Sequence, residues 1–179
     1  MMKKLISLLT ALMLLMTCCA AWADAIEMGT DGRQELDFEA GNYRAVAIDG
    51  SVHAKIYVGD TWTPETEDLE HAGEAVTAMW YRGADEDFQT LLCHFYTFED
   101  FGTDTPEEML AILRDMDFEG DVFTVNGIPT VLFHTEYKDL LGGFYRLENG
   151  WLDITVGNIT SEDLENEAML MLCSVTDAE

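Results

Sequence analysis

Three dipeptides constrain the fold of this chain more than any other feature. Asp49-Gly50, Asn126-Gly127 and Asn149-Gly150 each interrupt a run in which apolar residues recur at every second position. Two-residue hairpin turns of the favoured hand need positive φ at both central residues, which Asn, Asp and Gly supply at least cost. After Asp49-Gly50, Val52, Ala54, Ile56 and Val58 fall on one side of the chain and His53, Lys55 and Tyr57 on the other. Strict period-two alternation is the signature of a strand with one buried and one wet face. The sequence therefore predicts antiparallel hairpins.

Extending the same reading gives strands over Glu74–Arg82 and Asp87–Tyr96 around Gly83-Ala84-Asp85-Glu86, over Asp121–Val125 and Ile128–Tyr137, and over Phe144–Glu148 and Trp151–Gly157. Two helices interrupt them. Thr105 reads as an N-cap followed by Pro106 at the first helical position and by Glu107 and Glu108, with Met109, Ile112, Leu113 and Met116 as the apolar stripe. Thr160 or Ser161 caps a last helix that carries Leu164, Ala168, Leu172 and Val175 on one side. The expectation is an α+β fold: an antiparallel sheet of about eight strands built from hairpins, with two main helices packed on it. The order ββ-ββ-α occurs twice, so 44–118 and 119–176 read as a degenerate repeat or as an ordinary helix-covered sheet.

The start of the chain reads differently. Lys3 and Lys4 precede a 13-residue apolar run, Leu5–Thr17, and Ala21-Trp22-Ala23 offers small residues for cleavage. This is the layout of a secretory signal peptide, and the run is short of the roughly 20 residues a membrane span needs. The expected organisation is a leader over 1–23, a polar lead-in over 24–43 and a single domain over 44–179, delivered to the cell envelope or secreted. Two ends fit the leader: soluble release, or lipidation at Cys18 with Leu15-Met16-Thr17-Cys18 as a degenerate lipobox.

The 35 acidic residues outnumber nine basic ones and give a net charge of −26; all 35 lie from Asp24 onward. Such a body repels phosphates and argues against nucleic acid as a partner, while a cationic protein or a basic cell-wall surface is attracted. The acids alternate with Trp, Leu, Met and Val, as in a folded domain with an acidic skin.

Candidate sites follow from these patterns. Trp62 stands beside Glu65, Glu67 and Asp68 in an acidic loop, Gly59–Gly73, and Asp85, Glu86 and Asp87 form a second acidic turn. Trp62 is either an aromatic anchor for a basic partner or an indole folded back onto the sheet edge. The run Asp115-Met116-Asp117-Phe118-Glu119-Gly120-Asp121-Val122 matches the first eight positions of a calcium loop, with Asp115, Asp117, Glu119 and Asp121 as the carboxylates. Asn126 then stands where a bidentate Glu belongs. Cys93 and Cys173 are an even pair in an exported chain, which permits a disulfide, yet both sit in apolar runs typical of buried thiols. No CxxC, HExxH, GxSxG, Walker or GxGxxG pattern occurs. His94 and His134 lie in apolar strands, and Asn158-Ile159-Thr160 is a glycosylation sequon.

The Asp-Gly hairpin, the Val58–Trp62 exit into an acidic loop, the Asn126-Gly127-Ile128-Pro129 turn, the Gly143–Trp151 hairpin and the closing amphipathic helix together resemble small exported domains of the Mog1/PsbP-like type. The resemblance implies an antiparallel sheet between helices and a role in binding or assembly, with no shared catalytic residues. The leading functional expectation is an exported, non-catalytic binding or interaction module with a strongly acidic surface. A calcium-responsive domain and a hydrolase using carboxylates are the alternatives.

Overall fold

The computed structural model describes residues 26–28, 43–48, 51–65, 76–83 and 88–177. The leader, the Cys18 lipobox and the Asp49-Gly50 turn lie outside the described residues. Among those described, no helix is long and apolar enough to cross a membrane.

The fold is α+β. Strands β1 (Ile26–Met28), β4 (Thr63–Pro64), β5 (Val76–Arg82), β6 (Gln89–Thr97), β7 (Glu119–Val125), β8 (Ile128–His134), β9 (Leu140–Arg146) and β10 (Gly150–Gly157) form one sheet in the order β1-β7-β8-β9-β10-β6-β5-β4. The seven strands from β7 to β4 pair antiparallel, and β1 adds to β7 in parallel. A second sheet, β11-β3-β2, holds β2 (Tyr43–Ile48), β3 (Ser51–Tyr57) and β11 (Thr176–Asp177). Among the described residues three helices accompany them: α1 (Phe98–Phe101), α2 (Pro106–Asp115) and α3 (Glu162–Cys173).

Two features differ from expectation. The first hairpin does not join the large sheet, because Val46, Ala54, Ile56 and Val58 are buried against α3 and the sheet face instead. The large sheet is also covered on both faces. Leu132, Tyr145, Leu152, Ile154 and Val156 point to the side that carries α3 and β3. Val131, Phe133, Phe144 and Trp151 point to the side that carries α2, with its Met109, Leu110 and Leu113. A strand buried on both faces reads as a continuous apolar run rather than an alternation, as in Val131–Phe133 and Leu141–Tyr145, where every residue is buried. The hairpin β2–β3 of the first half therefore lies in the small sheet and the hairpin β7–β8 of the second half in the large one.

Turn chemistry matched at one of the Asn-Gly sites. Asn126 and Gly127 have φ of 48° and 84°, as the two-residue turn requires. The Asn126 amide also donates to the carbonyls of Cys173 and Val175 at 3.1 and 2.8 Å, holding the end of α3. At Asn149-Gly150 the turn is offset: Arg146 pairs with Trp151, and Leu147 N–H donates to Gly150 O, so Glu148 and Asn149 are central. Gly150 is a strand residue whose Cβ would stand 2.2 Å from Tyr96 O. Its glycine serves close backbone approach rather than the turn.

Thr105 occupies the N-cap of α2 without a side-chain bond. Thr103, two positions earlier, supplies the hydroxyl, accepting from Thr105 N–H at 3.2 Å and donating to Glu108 at 2.6 Å. Met116 lies past the end of α2 and is 59% exposed; Leu110 takes its expected place in the stripe. Ser161 is the cap of α3, accepting from Leu164 N–H at 3.3 Å. Leu164, Ala168, Leu172 and Val175 are all buried as the spacing predicts.

Candidate functional site

On the α2 face of the sheet the aromatic residues do not close completely. Phe133 and Phe144 stack at 5.5 Å, Phe101 meets Phe144 edge-on at 5.4 Å, and Phe118 meets Phe133 edge-on at 5.1 Å. Gly142 makes the first of these contacts possible. A Cβ there would lie 2.3 Å from Cζ of Phe133, so the ring sits where a side chain would stand. Between these rings and Ile112, Leu113 and Met116 of α2 and its exit opens a cavity of about 400 Å³. Its walls are predominantly apolar, and it falls within the size range of small-molecule sites.

One charged residue lines it: Asp153, on β10. The register sets Asp153 directly opposite His94 on β6 and Phe144 on β9. Asp153 is only 7% exposed. His94 Nδ1 approaches Asp153 Oδ2 at 3.5 Å, a loose ion-pair approach rather than a formed hydrogen bond. Asp153 Oδ1 and His94 Nδ1 have no hydrogen-bond partner among the described residues. Burial pushes the Asp153 carboxyl above the ordinary carboxylate range, and His94 pulls it partly back. Tyr96 stacks on His94 at 5.9 Å and also lines the cavity; burial, then Asp153 and Asp100, push its phenol up. A carboxylate whose pKa is raised by burial and that lines a cleft is a functional-site candidate.

The residues picked out from the sequence fall elsewhere. Trp62 is 5% exposed and its Nε1 donates to Glu167 Oε1 at 2.9 Å. The folded-back reading holds and the exposed anchor is corrected: the neighbouring backbone forms the edge strand β4, which pairs with Trp80 and Tyr81 and draws the indole inward. Glu65 is half-buried and its N–H donates to Met79 O at 2.9 Å. Glu67, Asp68, Asp85, Glu86 and Asp87 lie outside the described residues.

The calcium reading fails on geometry. Asp115 ends α2, Asp117 has φ of 66°, and Glu119 and Asp121 lie on β7; all four are exposed. Asp121 faces Arg114 at 3.6 Å. Among the described residues no three His, Cys, Asp or Glu side chains converge where they could hold a metal ion. A helix exit into a strand spreads these carboxylates, whereas a calcium loop wraps them round one point.

Cys93 and Cys173 are both buried thiols, not a disulfide. Cys93 is enclosed in the α3-side core on β6, and Cys173 is buried at the end of α3. Burial, then Asp153, drive the Cys93 thiol far up, which removes thiolate character and reactivity. His134 is no partner for it, since β9 and β10 lie between their strands.

Sequence reasoning passed over Asp153. The signal was present: in Trp151-Leu152-Asp153-Ile154-Thr155-Val156 a lone acid interrupts an apolar strand. A charge placed in a doubly buried strand needs a partner or a purpose. No protein-family model matches the chain, and no curated protein matches it.

Proposed function

We propose that this chain is an exported binding module that takes an apolar group into the cavity between α2 and the large sheet. The observation that carries this reading is the incomplete closure of the aromatic layer around one buried carboxylate. A layer that existed only for stability would be packed to crystal-like density and would leave no buried acceptor without a partner. The resemblance to Mog1/PsbP-like domains, which serve in binding and assembly, points the same way. Export fits the leader pattern, and the −26 charge steers cationic partners toward the molecule.

A neutral, environment-sensitive dye such as Nile red tests the reading. The purified protein should raise and blue-shift its emission. Ile112→Trp, which fills the cavity from a half-buried position, should remove most of that signal while leaving the circular-dichroism spectrum unchanged. An equal response from the two proteins, or none from the wild type, contradicts it.

A further inference from the structure

The floor of the cavity carries more information than its walls. Asp153 is more than nine-tenths buried, it lines the cavity, and its Oδ1 has no donor among the described residues. His94 approaches the other oxygen. Asp153 lines the cavity, so a donor brought there meets a carboxylate whose partners within the protein are incomplete.

Three ligand chemistries are distinguishable. An anionic head meets Asp153 and a chain with 35 acids against nine bases, so charge opposes it throughout its approach. A neutral hydroxyl can donate to the carboxylate and gains no Coulomb attraction. An ammonium donates, neutralises the carboxylate, and is drawn in by the field of the whole molecule. The walls Ile112, Leu113, Phe133 and Phe144 ask for an apolar, preferably aromatic, body behind that head.

Resting on the reading of the cavity as a binding site, we propose that its ligand is an apolar amine: an ammonium paired with the Asp153 carboxylate, with its hydrocarbon or aromatic body between α2 and the Phe133–Phe144 stack. His94 is then a positioning residue that holds the carboxylate from its other side.

The experiment compares three isosteres by calorimetric titration: 4-phenylbutylamine, 4-phenylbutanol and 4-phenylbutyrate. The expected order is amine over alcohol by about tenfold or more, with the carboxylate weakest. In Asp153→Asn the amine's advantage should vanish while the alcohol still binds. Equal binding of amine and alcohol by the wild type, an amine preference that survives Asp153→Asn, or tightest binding of the carboxylate overturns the assignment and leaves the apolar cavity standing. Failure of all three compounds together with Nile red removes the cavity reading itself.

If Asp153→Asn does not fold, the wild type decides the matter by pH. The groups facing Asp153 are His94 and Tyr96 on β6; Asp100 on α1 acts on Tyr96, Phe144 on β9 and the α2 wall are apolar, and Cys93 and Tyr145 lie on the opposite face. Protonation of Asp153 should erase the amine-to-alcohol ratio as pH falls. A ratio that stays constant down to the lowest pH at which the fold persists overturns the assignment.

Discussion

Trp62 Nε1 donates a 2.9 Å hydrogen bond to Glu167 Oε1, joining residues 105 positions apart. The other carboxylate oxygen of Glu167 accepts from Arg82 Nη1 at 2.6 Å. One side chain on α3 thus ties the loop after β3 and the end of β5 to the helix. Gly59 allows the approach, since a Cβ there would stand 2.8 Å from Glu167 Oε1. The Arg82 pair is about a third exposed, so solvent and salt screen it and its share is small. The indole N–H is the larger matter, because its acceptor cannot be replaced by bulk water at a buried position.

Glu167→Ala should therefore lower unfolding stability by about 1–3 kcal/mol, measured by urea denaturation. Glu167→Gln, which keeps an acceptor for the indole, should cost clearly less. Equal losses for the two would show that the carboxylate charge, not the Trp62 hydrogen bond, is what matters.

Asp153 makes a pH-dependent contribution of definite sign. Its folded-state pKa is raised by burial above the unfolded value of about 3.9. The native state then binds more protons than the unfolded state between those two values, so this group's contribution falls as pH rises through the window. Asp153→Asn should gain stability relative to wild type at neutral pH, and the gain should shrink toward pH 4. Thermal melts of both proteins across pH 4–8 check this. A difference that does not change with pH contradicts the shift, and a difference that grows on acidification reverses its sign.

In protein from which residues 1–23, with Cys18 and Cys19, have been removed, Cys93 and Cys173 should titrate as two thiols under denaturing conditions and as none in the native protein. Ellman's reagent with and without guanidinium makes the comparison. Rapid native reaction would mean that the cores around β6 and the end of α3 open readily. Absence of thiol after unfolding would mean a bridge.

Gly142→Ala should destabilise the protein by about 1–3 kcal/mol, the usual cost of overpacking, because the new methyl displaces the Phe133 ring. Phe133 also lines the cavity, so the same variant should weaken Nile red binding. Calorimetry and dye titration read the two effects separately. A wild-type melting temperature for Gly142→Ala contradicts the packing described for this wall.

Much of the architecture was legible in the residues because hairpins advertise themselves locally. Asn126-Gly127 specified its turn, and Ser161, Leu164, Ala168 and Leu172 specified α3. The assignment of β2–β3 to a separate sheet was not legible, since alternation reports that one face is buried and not what buries it. The short helix α1 carried a capping signal at Thr97 and Asp100, whose carboxylate accepts from Thr97 N–H at 2.7 Å, but four residues give no periodicity. Trp62 looked like an anchor because its neighbours are acidic; the acceptor that holds its indole, Glu167, lies over a hundred positions away. Asp153 was hidden by the abundance of carboxylates, and only its place opposite His94 on a strand covered on both sides sets it apart.

The central claim is that the space between α2 and the Phe133–Phe144 stack accepts a ligand. Methyl-resolved NMR of protein labelled at Ile, Leu and Met, titrated with 4-phenylbutylamine, tests it most directly. The account predicts saturable shifts at Ile112, Leu113 and Met116, with Ile56 and Leu172 on the opposite side of the sheet unmoved. Shifts confined to residues away from the cavity, or no saturable shift at any methyl, would contradict it.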